Sequence, residues 1–201
     1  MSPIRHPEET RQKILETALH LFHKGSFKGT SVNQIVEQAG ITKGALFHHF
    51  KGKNELGYAV VDELLFGFVS ESWILPLATS VDPIKDIAEI VLGFGKELES
   101  PEDLECGCPI NNLAQEMSAV DEEFRMRLLR LFSLWEDAIE KSIRAGIDAG
   151  NVKGDVDAKV MSQTLVALLE GCIGMIKVSR SFERMEALGK GVVMVLQLMK
   201  P

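Results

Sequence analysis

The residues best suited to chemistry lie close together in the stretch ITKGALFHHF, residues 41–50, which carries Lys43, His48 and His49. Ammonium and imidazole groups donate hydrogen bonds to anions, and neutral imidazole also ligates metals. The same stretch holds four apolar side chains, Ile41, Leu46, Phe47 and Phe50. We expect a short helix that packs one side on a small core and presents the other side to a polyanion.

Histidines outside this stretch raise the alternative of a metal site. His20 and His23 are three residues apart, so on a helix they would share a face, and His48 or His49 could complete the ligand set. No cysteine or carboxylate cluster lies beside them in the sequence. We therefore predict no metal and no cofactor.

Two closely spaced cysteines, Cys106 and Cys108, raise the alternative of a small helical redox or metal-dependent enzyme. Such a pair can form a redox couple or half of a metal site. The sequence shows no second cysteine pair, no Ser/His/Asp arrangement and no glycine loop of the kind that cradles phosphate. We predict that the chain is not an enzyme and has no catalytic residues.

Charge is unevenly distributed along the chain, whose formal net charge is -7. Residues 1–53 contain eight Lys and Arg against four Asp and Glu, whereas residues 54–201 contain 14 against 25. A basic head on an acidic body predicts that the head, and not the body, binds a polyanion such as double-stranded DNA. A chance fluctuation of surface charge would give the same distribution.

The composition is that of a globular protein, with 201 residues of which 45% are hydrophobic. Three cysteines are too few for a disulfide framework. The start, MSPIRHPEETRQK, lacks the apolar run of a signal peptide, and no window reaches about 18 uninterrupted apolar residues. We expect a cytoplasmic protein that does not interact with a membrane.

The chain around the 41–50 stretch is predicted to form three helices, the third of which contains this stretch. Apolar residues recur at helical spacing from Pro7 until Gly25. Thr30 or Ser31 can cap a second helix that ends at Gly40, and Thr42 can cap a third helix over 43–50. Two short helices joined by a tight turn form a helix-turn-helix.

Helical periodicity continues through the rest of the chain, and almost nothing reads as a strand. We expect further helices at about 54–73, 83–98, 108–118, 121–148, 156–178 and 182–199. The sequence therefore predicts an all-α fold of about nine helices, with an N-terminal three-helix head over 1–53 and a helical body over 54–201.

Residues 10–56, TRQKILETALHLFHKGSFKGTSVNQIVEQAGITKGALFHHFKGKNEL, resemble the DNA-binding head of the tetracycline-repressor (TetR) family. The body resembles one subgroup of that family over GCPINNLAQEM, residues 107–117, and over 124–143. The resemblance implies a homodimeric transcriptional repressor that binds a palindromic operator. It also implies that 54–201 form a dimerisation domain and bind a small-molecule effector, which releases the DNA.

Physical properties assign candidate roles to residues of the head. Free N–H groups at a helix start can bind phosphate, Lys43 can reach a guanine edge or a phosphate, and Gly44 allows close approach. Phe47 stands where the family commonly has Tyr, so it can press on a thymine methyl but brings no hydroxyl to a phosphate. The predicted DNA-binding residues are Thr30, Ser31, Thr42, Lys43, Gly44, Phe47, His48 and Lys53. Ordinary helix caps and solvated surface lysines are the alternative reading of the threonines, serine and lysines.

The body offers apolar surface with a few uncharged polar groups, which is how small-molecule sites are usually built. The predicted effector-binding residues are Phe66, Trp73, Phe94, Asn112, Phe132 and Trp135. An ordinary core would use most of these aromatic residues as well. The last two helices are apolar on more than one face, which suits a four-helix dimer interface, although burial within one chain would give the same pattern.

Cys106 provides the alternative to a reversibly bound effector. It lies where a loop leads into a helix, a position that can make a thiol reactive toward electrophiles or oxidants. Glu102, Asp103 and Glu105 lie nearby, and negative charge disfavours a thiolate. We therefore predict an apolar or aromatic effector in preference to a thiol-based sensor.

Overall fold

The computed structural model describes residues 7–96, 98, 100 and 104–201, and every regular element within them is helical. We number nine helices in this part of the chain, counting 53–77 as a single helix, α4, with π-helical turns at Val60–Leu65 and Ser70–Ile74. The others are α1 (Pro7–Gly25), α2 (Val32–Gln38), α3 (Lys43–His49), α5 (Pro83–Gly93), α6 (Pro109–Met117), α7 (Glu122–Asp148), α8 (Ala158–Ser179) and α9 (Phe182–Gln197). The predicted all-α fold with an N-terminal helix-turn-helix is confirmed.

Local hydrogen bonds fix the starts of α2 and α3. Ser31 forms a capping box with Gln34: its hydroxyl oxygen accepts from the Gln34 N–H at 3.2 Å, and the Gln34 side chain accepts from the Ser31 N–H at 2.7 Å. The Thr42 hydroxyl oxygen accepts from the Ala45 N–H at 3.2 Å. Gly40 joins the two helices with a φ of 61°, a conformation that costs glycine little. Ser31 and Thr42 are thus the two caps.

Two predicted helices have different ends in the structure. The helix predicted over 83–98 ends at Gly93, because Phe94 leaves the helical conformation with a ψ of 47°. The helix predicted to end at Trp73 continues to Leu77 through Pro76. Pro76 is tolerated because it lies in the first turn after a π-helical segment, where its missing N–H removes no established α-helical bond.

The chain divides into two compact units. The first unit contains the residues up to Gly67 together with Pro109–Leu128, and the second contains Phe68–Cys108 together with Leu129–Pro201. The buried core of the first unit includes Ile14, Leu15, Ala18, Ile35, Leu46, Leu56 and Phe124. The buried core of the second unit includes Trp73, Ile84, Ile87, Trp135, Ile139, Leu165 and Leu196.

The first unit brings α4 and α7 together at Gly57. A Cβ at this position would lie 2.6 Å from Phe124 and 2.7 Å from Phe27, so only glycine fits without movement of the two rings. The Phe27 and Phe124 rings meet edge to face with centroids 4.9 Å apart. The head is therefore packed directly against the first turn of α7.

Candidate nucleic-acid interface and effector site

One side of α3 packs into the core of the first unit while the other faces solvent. Leu46 is fully buried, and Phe50, which ends the helix, is buried as well. The opposite side exposes half of the Phe47 side chain. The other exposed residues on this side are Thr42, Lys43, Gly44 and His48. Five of the predicted DNA-binding residues are thus exposed together on one short helix and its cap.

Gly44 leaves this surface open. A Cβ built at Gly44 would have the Thr42 hydroxyl oxygen, at 3.9 Å, as its nearest neighbour. The free protein therefore does not need glycine here to avoid a clash. A polyanion lying against α3 could approach its backbone more closely at Gly44 than at any residue with a side chain.

The two histidines of α3 differ in their surroundings. His48 is exposed, whereas His49 is half-buried with its ring centroid 6.4 Å from that of Phe50. Their rings are 5.1 Å apart. Within the described residues, no group of three or more His, Cys, Asp or Glu side chains is arranged to hold a metal ion.

The α1–α2 connection uses its two hydroxyl side chains differently. Thr30 is only 4% exposed, and its hydroxyl lies 2.8 Å from the Ser26 carbonyl and 3.2 Å from the Leu21 carbonyl, to which it donates. Ser31 is exposed at the start of α2. The Thr30 hydroxyl thus serves the protein's own backbone, and the Ser31 hydroxyl donates to the Gln34 side chain at 2.9 Å.

Lys53 also bonds to the protein's own backbone. Its ammonium group donates to the Phe27 carbonyl at 3.0 Å and to the Thr30 carbonyl at 2.9 Å. It also lies 4.5 Å from the centroid of the Phe27 ring, within cation–π range. Lys53 is half-buried and holds the connection between α1 and α2 in place.

Glu116 on α6 is a residue that sequence reasoning did not single out. Its two carboxylate oxygens accept from the N–H groups of Phe27, at 2.8 Å, and Lys28, at 2.7 Å. These partners are 89 and 88 residues away along the chain. No local pattern signals a contact of this kind, because it depends on how α6 packs on the head.

Three of the six predicted effector-binding residues meet in the second unit. The Trp73 ring lies 4.9 Å from that of Trp135 and 5.7 Å from that of Phe94, measured between centroids. Phe68 adds a further ring, 6.1 Å from Phe94. Both tryptophans are buried, whereas Phe94 is 44% exposed. We call Phe68, Trp73, Phe94 and Trp135 the aromatic cluster.

The aromatic cluster contains one unsatisfied polar group. Trp135 Nε1 is buried and has no hydrogen-bond partner among the described residues. Of the other predicted effector-binding residues, Phe132 is half-buried, one turn before Trp135 on α7. Phe66, which is exposed, and Asn112, which is half-buried, belong to the first unit.

The three cysteines are thiols. Cys106 and Cys172 are half-buried and Cys108 is buried, and burial raises the pKa of the Cys172 thiol. Beside Cys106, Glu105 forms an ion pair with Arg180 at 2.9 Å. Glu102 and Asp103, the other acidic residues near Cys106, lie outside the described residues.

Helices α8 and α9 pack against each other and leave large apolar side chains uncovered. Val178 is 83% exposed and Met194 is 71% exposed. Val160, Met175 and Leu198 are exposed as well. In the described part of the chain, α8 is the single helix long and apolar enough to cross a membrane by length and composition, a test that core helices of soluble proteins also pass.

Both parts of the chain match known families. Residues 14–60 match the family model of bacterial regulatory proteins, tetR family, and residues 85–192 match the model of the tetracyclin repressor-like C-terminal domain. The chain is 32% identical over 171 residues to the HTH-type transcriptional regulator LmrA of Bacillus subtilis (strain 168), covering 82% of this chain and 85% of LmrA. It is 25% identical over 176 residues to the HTH-type transcriptional repressor DhaR of Mycobacterium sp. (strain GP1), covering 88% of this chain and 86% of DhaR.

The fold also matches solved structures. A TetR-family transcriptional regulator from Cytophaga hutchinsonii superposes with a TM-score of 0.84 at 19% identity, covering 99% of this chain and 98% of that one. These matches agree with the exposed α3 face and the helical body. The chain belongs to the TetR family of bacterial regulatory proteins and is a ligand-responsive transcriptional regulator that binds DNA through its helix-turn-helix.

Proposed function

We propose that the protein is a cytoplasmic repressor that binds a palindromic operator as a homodimer and is released by a small apolar or aromatic effector. Residues 1–53 form the DNA-binding domain, and 54–201 form the effector-binding and dimerisation domain. The protein acts by binding and has no catalytic step. One observation carries the proposal: α3 exposes one face to solvent while Leu46 and Phe50, on its other side, are buried in the core.

DNA recognition uses the exposed face of α3. Lys43 donates to a guanine edge or a phosphate, and Phe47 contacts a thymine methyl or a sugar. Thr42 and His48 donate to phosphates, and the exposed Ser31 does so when its hydroxyl turns away from Gln34. Gly44 lets the helix lie deep in the groove. Thr30 and Lys53 support this surface through the backbone bonds of the α1–α2 connection.

Dimerisation uses α8 and α9. Exposed apolar faces of this extent mark interaction surfaces, and two helices from each protomer form a four-helix interface. Lys159, Glu170 and Lys177 lie within α8, and three ionisable residues are costly in a lipid bilayer. A second copy of the chain is therefore a better occupant of this face than lipid.

Effector binding uses the aromatic cluster. Clustered apolar rings suit an aromatic compound, and the unsatisfied Trp135 Nε1–H suits one that carries a hydrogen-bond acceptor. The proposal favours such a compound over covalent modification of Cys106, because many residues form the cluster and one loop carries the thiol.

Intrinsic fluorescence gives a direct test, because Trp73 and Trp135 are the only two tryptophans in the chain. A panel of neutral aromatic compounds is screened for quenching of tryptophan fluorescence and for release of a fluorescent duplex that the protein has selected from a random pool. We expect the same compounds to do both, and Trp135→Phe to weaken both effects together. Release by N-ethylmaleimide alone, lost in Cys106→Ser, would instead establish a thiol-based sensor.

A further inference from the structure

The connection between α1 and α2, residues 26–30, is held by side chains from two other helices. We call this connection the 26–30 loop. Its Phe27 is buried between Phe22 and Phe124, with ring centroids 4.9 Å from each. A turn bond from the Thr30 N–H to the Phe27 carbonyl, at 3.3 Å, closes the loop. The next residue, Ser31, caps α2, so the position of the loop sets where α2 begins.

Two backbone N–H groups of the 26–30 loop donate hydrogen bonds to Glu116 on α6. Two successive N–H groups, those of Phe27 and Lys28, point at one carboxylate and occupy both of its oxygens. Successive main-chain N–H groups in a turn form an anion-binding concavity, and hydrogen bonds to a charged acceptor are stronger than neutral ones. An aliphatic or shorter side chain at 116 could not make this pair of contacts.

Two backbone carbonyls of the same loop accept hydrogen bonds from Lys53 on α4. The Lys53 ammonium donates to the carbonyl oxygens of Phe27 and Thr30. The loop is therefore held by a negative charge from α6 and a positive charge from α4. All of these residues lie within the first compact unit.

We propose that Glu116 is a positioning residue for DNA binding, which fixes α2 and α3 from the body helix α6 by holding the 26–30 loop. When α6 is displaced, the Glu116 carboxylate moves the 26–30 loop, and the loop in turn moves the helix-turn-helix. This inference rests on the proposed function, since it concerns how the operator-binding face of α3 is held in place. It assigns Glu116 no contact with DNA.

The test compares Glu116→Ala and Glu116→Gln with the parent and with two control variants. Gln115→Ala changes the neighbouring, exposed residue of the same helix, and Glu122→Gln removes an exposed carboxylate of the same unit. Amide hydrogen exchange of Phe27 and Lys28 is measured by NMR. We expect exchange about tenfold faster in Glu116→Ala and an intermediate rate in Glu116→Gln, which keeps one acceptor oxygen.

DNA binding is measured with a duplex that the parent selects from a random pool and with a scrambled duplex. We expect both Glu116 variants to bind the selected duplex more weakly, with a Kd about tenfold higher for Glu116→Ala. The salt dependence should be unchanged, because no phosphate contact is lost. The scrambled duplex should bind all variants alike.

Unchanged amide exchange, or unchanged affinity for the selected duplex in Glu116→Ala, would overturn the proposal. If Glu116→Ala does not fold, the same two readouts on Glu116→Gln decide the question. If the parent selects no sequence at all while exchange at Phe27 and Lys28 still accelerates in the variants, then the loop contact is real and the proposed function has failed.

Discussion

Arg11 of α1 donates to both carboxylate oxygens of Glu63 in α4, at 2.6 and 2.5 Å. The first helix of the head is thereby joined to the first π-helical turn of α4, Val60–Leu65. The hydrogen bond from Arg11 lowers the pKa of the Glu63 carboxyl below its usual value. The two side chains are 31% and 41% exposed, so solvent screens the pair and its contribution is modest.

Glu63→Gln should lower the free energy of unfolding at pH 7 by about 0.5 kcal/mol. Because the folded-state pKa of Glu63 is depressed, this contribution is complete above its unfolded-state pKa and is lost as the pH falls through the folded-state pKa. Urea unfolding at pH 7, 5 and 3 should therefore show the parent and the variant converging as the pH falls. Glu71→Gln, which removes an exposed carboxylate of the same helix, is the control. A difference that stays constant from pH 7 to pH 3 would contradict the assignment.

Gly57→Ala should destabilise the first unit, because its Cβ would overlap the rings of Phe27 and Phe124. Overpacking of this kind costs about 1–3 kcal/mol. The matched control is Gly67→Ala on the same helix, where a Cβ would meet nothing within 4 Å. This substitution should stabilise the protein slightly, because alanine favours a helix more than glycine does. In thermal unfolding, the melting temperature should fall below that of the parent for Gly57→Ala and rise slightly above it for Gly67→Ala. Equal melting temperatures would show that the rings move aside at no cost.

Much of the fold could be predicted because its signals are local. Ser31 and Thr42 precede apolar runs as caps, Gly40 separates the two helices, and the spacing of Leu46 and Phe50 places α3 on the core. The all-α fold and the number of helices follow from such signals. The end of α5 at Gly93 did not follow, because the apolar periodicity continues to Leu98 although the backbone leaves the helix.

The supports of the candidate site could not be predicted, because they join residues far apart in the chain. Lys53 reads as a surface cation beside the recognition helix, yet its partners are carbonyls 26 and 23 residues earlier. Glu116 reads as one acid among many in an acidic body. Only the packing of α4 and α6 against the head reveals what these charges hold.

Gly44→Ala separates folding from DNA binding. In the free protein the added methyl would have no neighbour closer than 3.9 Å, and alanine favours a helix over glycine by about 1 kcal/mol. We expect an unchanged or higher melting temperature together with weaker binding to the selected duplex. A variant as stable as the parent that binds the duplex equally well would show that the backbone of α3 does not approach the groove at this position.

Val178→Lys should disrupt the dimer, because this position is 83% exposed in one chain and belongs to the apolar side chains that α8 and α9 leave uncovered. Val120→Lys is the matched control, since Val120 is 59% exposed but lies in the first unit. Light scattering at micromolar concentration should give the mass of a monomer for Val178→Lys and of a dimer for the parent and Val120→Lys. A dimeric Val178→Lys would place the interface elsewhere.

We propose that a dimer presents two copies of α3 to successive major grooves of one operator. Selection of bound duplexes from a random pool by the parent chain tests this arrangement, with Lys43→Ala and Lys85→Ala as the paired variants. We predict a two-fold symmetric sequence with half-sites centred roughly 34–36 Å apart, or a small multiple of that distance. Lys85→Ala, which removes an exposed charge of the second unit, should recover the same sequence, and Lys43→Ala should lose it. Recovery of no enriched sequence by the parent, or of one without two-fold symmetry, would contradict the claim.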